Sequence, residues 1–244
     1  MKILVGISKA PDTTSKVAFT DGDTKFSTAG VQYILNPYDE WYALVRACEL
    51  KEAHGGSVSL IHVGLAENEQ YIRKALAIGA DDAVRVDADA TSACFTAKQI
   101  AANADGFDII LLGKETIDYN GSEVGSVLAE MLDLPFISYA TSLVINGNIA
   151  TIEREIEGGK EVLEVAMPFV VSAAKGMAEQ RIPNMQGIMK ARSKPLVVVP
   201  AVVADAHASI ARYELPPAKT GVRMIAAENM EELVRLLHEE AKVI

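Results

Sequence analysis

The stretch Asp108–Pro135, DIILLGKETIDYNGSEVGSVLAEMLDLP, decides how this chain folds. Ile109, Ile110, Leu111 and Leu112 form an unbroken apolar run, as in a strand covered on both faces, and Gly113 ends it. A polar loop, Glu115 to Ser122, then feeds a helix that starts near Ser122 or Glu123 and carries Val124, Leu128, Met131 and Leu132. Strand, small polar loop and helix start together present backbone N–H groups to a phosphate. Lys114 directly follows the strand and no G-x-x-x-x-G-K-[ST] occurs, so the stretch reads as a nucleotide cradle without hydrolytic equipment.

The same grammar extends upstream. Lys2–Ile7, Val58–Val63 and Ala83–Val86 are further core strands, and residues 8–35 are an excursion with a hairpin tip at Asp21-Gly22. Helices are expected from Asn36-Pro37 to His54, with Asn36 as cap and Pro37 at the first helical position, and from Glu69 to Ile78. A third helix runs from a Thr91 or Ser92 cap to about Asn103. Alternating strands and helices predict a mostly parallel sheet with helices on both faces, ligands sitting beyond the carboxyl ends of its strands. Ile7-Ser8, Val63-Gly64, Gly113-Lys114 and the helix start at Asn36 should therefore converge on one crevice.

Beyond Ile137 the pattern changes to alternating runs around Asn146-Gly147 and Gly158-Gly159, followed by Phe169–Ala173. These read as an antiparallel extension of the sheet. Leu196–Val199 is one more apolar run, and Glu228–Lys242 a terminal helix. The division is a domain over 1–195 and an arm over 196–244 that needs something outside the domain to pack against.

Composition sets limits on function. The chain has 244 residues, 50% of them hydrophobic, and a formal net charge of −10. That balance supports a sizeable core and argues against nucleic acid as partner. No apolar run approaches the ~18 residues of a membrane span, so the protein is not expected to be membrane-embedded. No secretory signal is read at the start, and Cys48 and Cys94 read as buried thiols, which favours a cytoplasmic location. The four histidines show no metal-ligand spacing, and no Ser/His/Asp or Cys/His constellation can be argued, so neither a metal nor a catalytic residue is assigned.

With the elements placed, several separated motifs resemble one family. They are KILVGISKAPDTT at the start, ILNPYDE (Ile34–Glu40), RKALAIGADDAVRV (Arg73–Val86) and LLGKETIDYNGSEVG (Leu111–Gly125). EREIEGGKE (Glu153–Glu161) and RIPNMQGIMKARSKP (Arg181–Pro195) complete the set. The chain resembles the beta subunit of the electron-transferring flavoproteins. The resemblance implies a Rossmann-like α/β fold of the adenine-nucleotide alpha-hydrolase type, with a mostly parallel sheet, an antiparallel extension and a C-terminal arm. It implies an electron carrier, not an enzyme, that pairs with an alpha subunit holding FAD. That heterodimer takes electrons from flavin dehydrogenases, such as acyl-CoA dehydrogenases of fatty-acid oxidation, to an electron transfer flavoprotein (ETF)-quinone oxidoreductase. AMP without a redox role would sit in the beta subunit, against Gly6, Asn36, Val63, Gly64 and the run Asp118, Asn120, Gly121, Ser122, Glu123, Val124 and Gly125. The N–H groups of Gly121 to Gly125 are the preferred phosphate donors, and Thr13 would face the flavin.

The resemblance also makes Arg181–Pro195 a recognition loop, with Met185 anchored in a pocket of the partner dehydrogenase, Ile182 and Ile188 beside it, and Lys190, Arg192 and Lys194 as a basic rim. Read without it, the segment has no clean period and is a loop closing the core. The chain departs from the family at Glu123, where Gln is frequent, and at Asp118-Tyr119-Asn120, where Asp-rich runs are frequent. A carboxylate at a phosphate-binding helix start opposes side-chain contact and leaves backbone contact intact. Two rivals remain: a bifurcating beta subunit holding a second FAD, and a stand-alone nucleotide-binding protein akin to universal stress proteins.

Overall fold

The computed structural model describes residues 1–205, 207–218 and 221–244. After β1 (Lys2–Gly6), the excursion forms two small antiparallel ribbons, β2 (Lys9–Pro11) with β5 (Tyr33–Leu35) and β3 (Phe19–Thr20) with β4 (Lys25–Phe26). Asp21-Gly22 turns the second ribbon, both residues at positive φ, as the sequence predicts. Then follow α1 (Asp39–His54), β6 (Ser57–Val63), α2 (Glu69–Ile78), β7 (Asp82–Asp87), α3 (Ala93–Ala101), β8 (Ile109–Gly113) and α4 (Val124–Leu132). Ser92 caps α3, its side chain accepting from Phe95 N. The second half contributes β9 (Phe136–Asn146), β10 (Ile149–Ile156), β11 (Gly159–Ala166), β12 (Phe169–Ala173), α5 (Met185–Ala191), β13 (Leu196–Pro200) and α6 (Met230–Arg235).

Nine strands form one sheet in the order β11-β10-β9-β12-β8-β1-β6-β7-β13. Alternate side chains of its parallel centre enter two cores. Ile3, Val5, Leu60, Ile109 and Leu111 pack in the cluster that includes α1 and α2. Leu4, Ile61, Ile110 and Leu112 pack in the one that includes α3 and α4. Each fully buried Leu or Ile contributes about 1.5–3 kcal/mol, so this double-sided burial dominates the stability of the sheet. The result is the mostly parallel sheet with helices on both faces that the alternation predicts, and the Rossmann-like α/β architecture that the resemblance implies.

Three expectations need correction. Phe169–Ala173 is not part of the antiparallel extension: β12 lies parallel between β8 and β9, and all five of its residues are buried, as a central parallel strand requires. Strand β9 starts at Phe136, well before the Leu143–Ile145 run, because a shift of register near Tyr139 (φ 58°) disturbs the alternation that would have announced it. The sheet also takes in Leu196–Pro200, which pairs with β7, so the segment that stands apart begins after Pro200. That segment exposes Val203, Val222 and Met224 almost completely.

Connections from β1 lead to β6 on one side, whereas β8 lies on the other. The reversal opens a crevice beyond the carboxyl ends of β1 and β8, where open α/β sheets place ligands.

Candidate functional site

The loop between β8 and α4 is the floor of this crevice. Asn120 (φ 50°) and Ser122 (φ 54°) adopt left-handed conformations that non-glycine residues hold only when the surroundings enforce them. The enforcing contacts are specific. Asn120 N donates to Thr116 O at 3.0 Å, and Tyr139 OH lies 3.4 Å from Ser122 Oγ. From below, Asn36 Oδ1 accepts from Ile117 N at 3.1 Å while its Nδ2 donates to Glu115 O at 3.3 Å. Asn36 is therefore fully buried as a cross-link, not the helix cap that its sequence context suggested. Helix α1 starts three residues later, at Asp39, after Tyr38 at φ 66°.

The bends leave backbone donors free. The first bond of α4 runs from Val127 N to Glu123 O, and the N–H groups of Gly121, Ser122, Glu123, Val124 and Gly125 meet no acceptor among the described residues. A Cβ at Gly121 would meet nothing closer than the Glu123 carboxylate at 3.7 Å, so the approach is open. At Gly125 a Cβ would stand 2.8 Å from the Phe136 ring, which makes that glycine a packing requirement of α4 on β9. Gly6 and Gly64 are likewise filled by neighbours: Leu112 takes the space at Gly6, and Asn68 with His62 takes that at Gly64. Val63 is buried at the end of β6, and Gly64 N donates to Val86 O. Asp118 and Asn120 are exposed on the loop. Thr13 is exposed at a turn that Asp12 holds through Thr14, and no contact brings it to the loop.

Residues to which the sequence reading gave no part in the site fix the strand ends. Glu40 is buried under Gly113 and accepts from Ser8 N and Ser8 Oγ, each at 2.7 Å. Burial raises its carboxyl to about 8, against the opposing pull of these bonds. Burial also raises Asp39 to about 6 despite Lys114 nearby. His62 Nδ1 lies 2.9 Å from Ile7 O, an acceptor only, so Nε2 accepts from Asn68 Nδ2 at 2.9 Å. Burial lowers this histidine to about 4 and keeps it neutral. A cavity of about 230 Å³ shares Glu115 and Ile117 with the loop, and its lysines, Lys114 and Lys175, are balanced by Asp39 and Glu115. Only the pairing of distant strands brings these groups together, so no local spacing could have announced them. Among the described residues no group of His, Cys, Asp and Glu could hold a metal ion. Cys48 is buried, which raises its thiol to about 11, and Cys94 is half-buried.

The second candidate region is an ordered helix instead of a loop. Asn184 caps α5 through Gly187 N, and Trp41 Nε1 holds Arg181 O at 3.1 Å. Arg73 binds the carbonyls of Ala191 and Lys194. Helix α5 presses on α2 so closely that a Cβ on Gly187 would lie 2.5 Å from Ala77 O. Met185, Ile188 and Met189 stay exposed on it, with Ile182 (82% exposed) just before. Lys190 and Arg192 are exposed as a rim, but Lys194 turns inward and caps α2 at the carbonyls of Leu76 and Ala80.

Comparison with known proteins points to one family. Residues 23–204 match the family described as "Electron transfer flavoprotein domain". The chain is 38% identical to electron transfer flavoprotein subunit beta of Bacillus subtilis (strain 168), over 100% of both chains. It is 36% identical to the protein of that name from Syntrophomonas wolfei subsp. wolfei, over 90% of this chain and 87% of the other. With the Bos taurus subunit the identity is 32%, over 100% and 99%.

Proposed function

The chain belongs to the electron transfer flavoprotein family as a beta subunit, and on that footing we propose that it binds AMP structurally beside an alpha subunit that carries FAD. The row of free N–H groups from Gly121 to Gly125 at the start of α4 carries this reading, because it offers an anion donors that nothing else in the described chain uses. The backbone donors fit an adenylate's phosphate, with an approach at Gly121 that only the Glu123 carboxylate borders, 3.7 Å from where a Cβ would stand. Bound at 100 times its dissociation constant, AMP stabilises the fold by about 2.7 kcal/mol.

FAD, held mainly by the alpha subunit, supplies the redox chemistry. This chain transforms no substrate; it shields and positions the flavin, with Thr13 on the facing side, and docks partners in the cytoplasm. Met185, Ile182 and Ile188 enter an apolar pocket of a flavin dehydrogenase, such as an acyl-CoA dehydrogenase, and Lys190 steers the encounter. Electrons then pass to the ETF-quinone oxidoreductase.

Native mass spectrometry of the chain co-purified with its alpha subunit tests the reading. AMP and one FAD per heterodimer is the expected result. A second FAD in place of AMP assigns the bifurcating type, and a self-dimer that ignores the alpha subunit assigns a stand-alone binding protein.

A further inference from the structure

The segment after the sheet returns to the nucleotide loop at Tyr213. Tyr213 N donates to Asp23 O at 2.7 Å, at the tip of the β3–β4 ribbon. Its ring stacks on Phe19, centroids 4.9 Å apart and planes 12° from parallel. Its hydroxyl lies 2.8 Å from the hydroxyl of Tyr119. Tyr119 immediately precedes Asn120, the first of the two left-handed residues that aim the free N–H groups. Among the described residues the segment is also tied at Val202, whose N–H and carbonyl both bond the Gln99 amide, at 2.8 and 2.9 Å. One end is thus fixed beside the β13 edge and the other beside the loop that follows β8.

We propose that Tyr213 is a positioning residue for the nucleotide site: it holds Tyr119, and so fixes the loop whose N–H groups face the ligand. The inference rests on the nucleotide reading above. Because a coupling between two sites is reciprocal, AMP seats the arm as much as the arm seats AMP. The ring of Tyr213 supplies the stacking platform and its hydroxyl the link to the loop.

Tyr119→Phe and Tyr213→Phe each delete one hydroxyl and keep the ring. Calorimetric titration of the full-length chain with AMP should show about a three- to tenfold loss of affinity in either variant, the worth of one neutral hydrogen bond. The double variant should lose no more than either single one, because the two hydroxyls form one bond. AMP should also slow tryptic cleavage after Arg212 in the parent and not in the variants. Unaltered affinity in both variants, or losses that add in the double variant, overturns the latch while AMP binding by the parent still stands. Failure of the parent to bind AMP overturns the nucleotide reading and the latch with it.

Discussion

Glu123 and Glu40 show how one carboxylate can act on binding and another on stability. Glu123 lies at the start of α4 beside the row of free N–H groups, where its charge opposes an incoming phosphate. Glu123→Gln should raise AMP affinity roughly threefold at low salt, less at high salt, as measured by calorimetry. Glu40 keeps a proton to about pH 8 in the folded chain, whereas the unfolded chain releases it near the ordinary glutamate value of 4.5. Between these values the folded state binds more protons, so stability falls as pH rises. His62, lowered to about 4 from 6.5, acts in the opposite sense, its stability lost as pH falls below 6.5, and Asp39 has titrated by then. From pH 6.5 to 8, then, Glu40 acts alone among these three. The parent should lose about 2 kcal/mol across that window, roughly 4–8 °C in Tm, and Glu40→Gln should flatten the slope. A parent and variant with parallel melting profiles would contradict the protonated carboxyl.

Helix α5 is where sequence and structure part most clearly. Met185→Ala should slow electron transfer from a flavin dehydrogenase by about tenfold while flavin content stays constant, since a buried methionine side chain is worth about 1.5–3 kcal/mol. Gly187→Val should do the same indirectly, because the added carbons meet Ala77 O and displace α5 from α2. Parent rates in both variants would move docking elsewhere. The sequence alone could not show this helix. It is seven residues long with a glycine inside, its large apolar residues Met185, Ile188 and Met189 are exposed, and its anchors Trp41 and Arg73 are far away in the chain. The central strands were legible because burial on both faces writes unbroken apolar runs, and α4 because a small polar loop precedes it and apolar spacing fills it. Asn36 was misread for a chemical reason: one amide can cap a helix or bridge a loop, and only the approach of Ile117 decides. The Tyr119–Tyr213 bond joins residues 94 apart, so no pattern within a window records it.

The described chain is a sheet with the proposed nucleotide loop beyond its strand ends and a long segment after it. The sheet closes at Pro200, and Val202 is already tied to Gln99. Truncation after Ala204 should therefore leave the melting temperature within a few degrees of the parent, yet abolish co-purification with the alpha subunit. Retained co-purification would show that the exposed Val222 and Met224 have another use. Among its described residues the chain has no helix long and apolar enough to cross a membrane. All of this depends on the amides beyond β8 holding an adenylate. Following the backbone amide resonances of Gly121 to Gly125 by NMR during AMP titration tests it most directly. Saturable shifts concentrated in those five signals are predicted; five unmoved signals at saturating AMP would contradict the account.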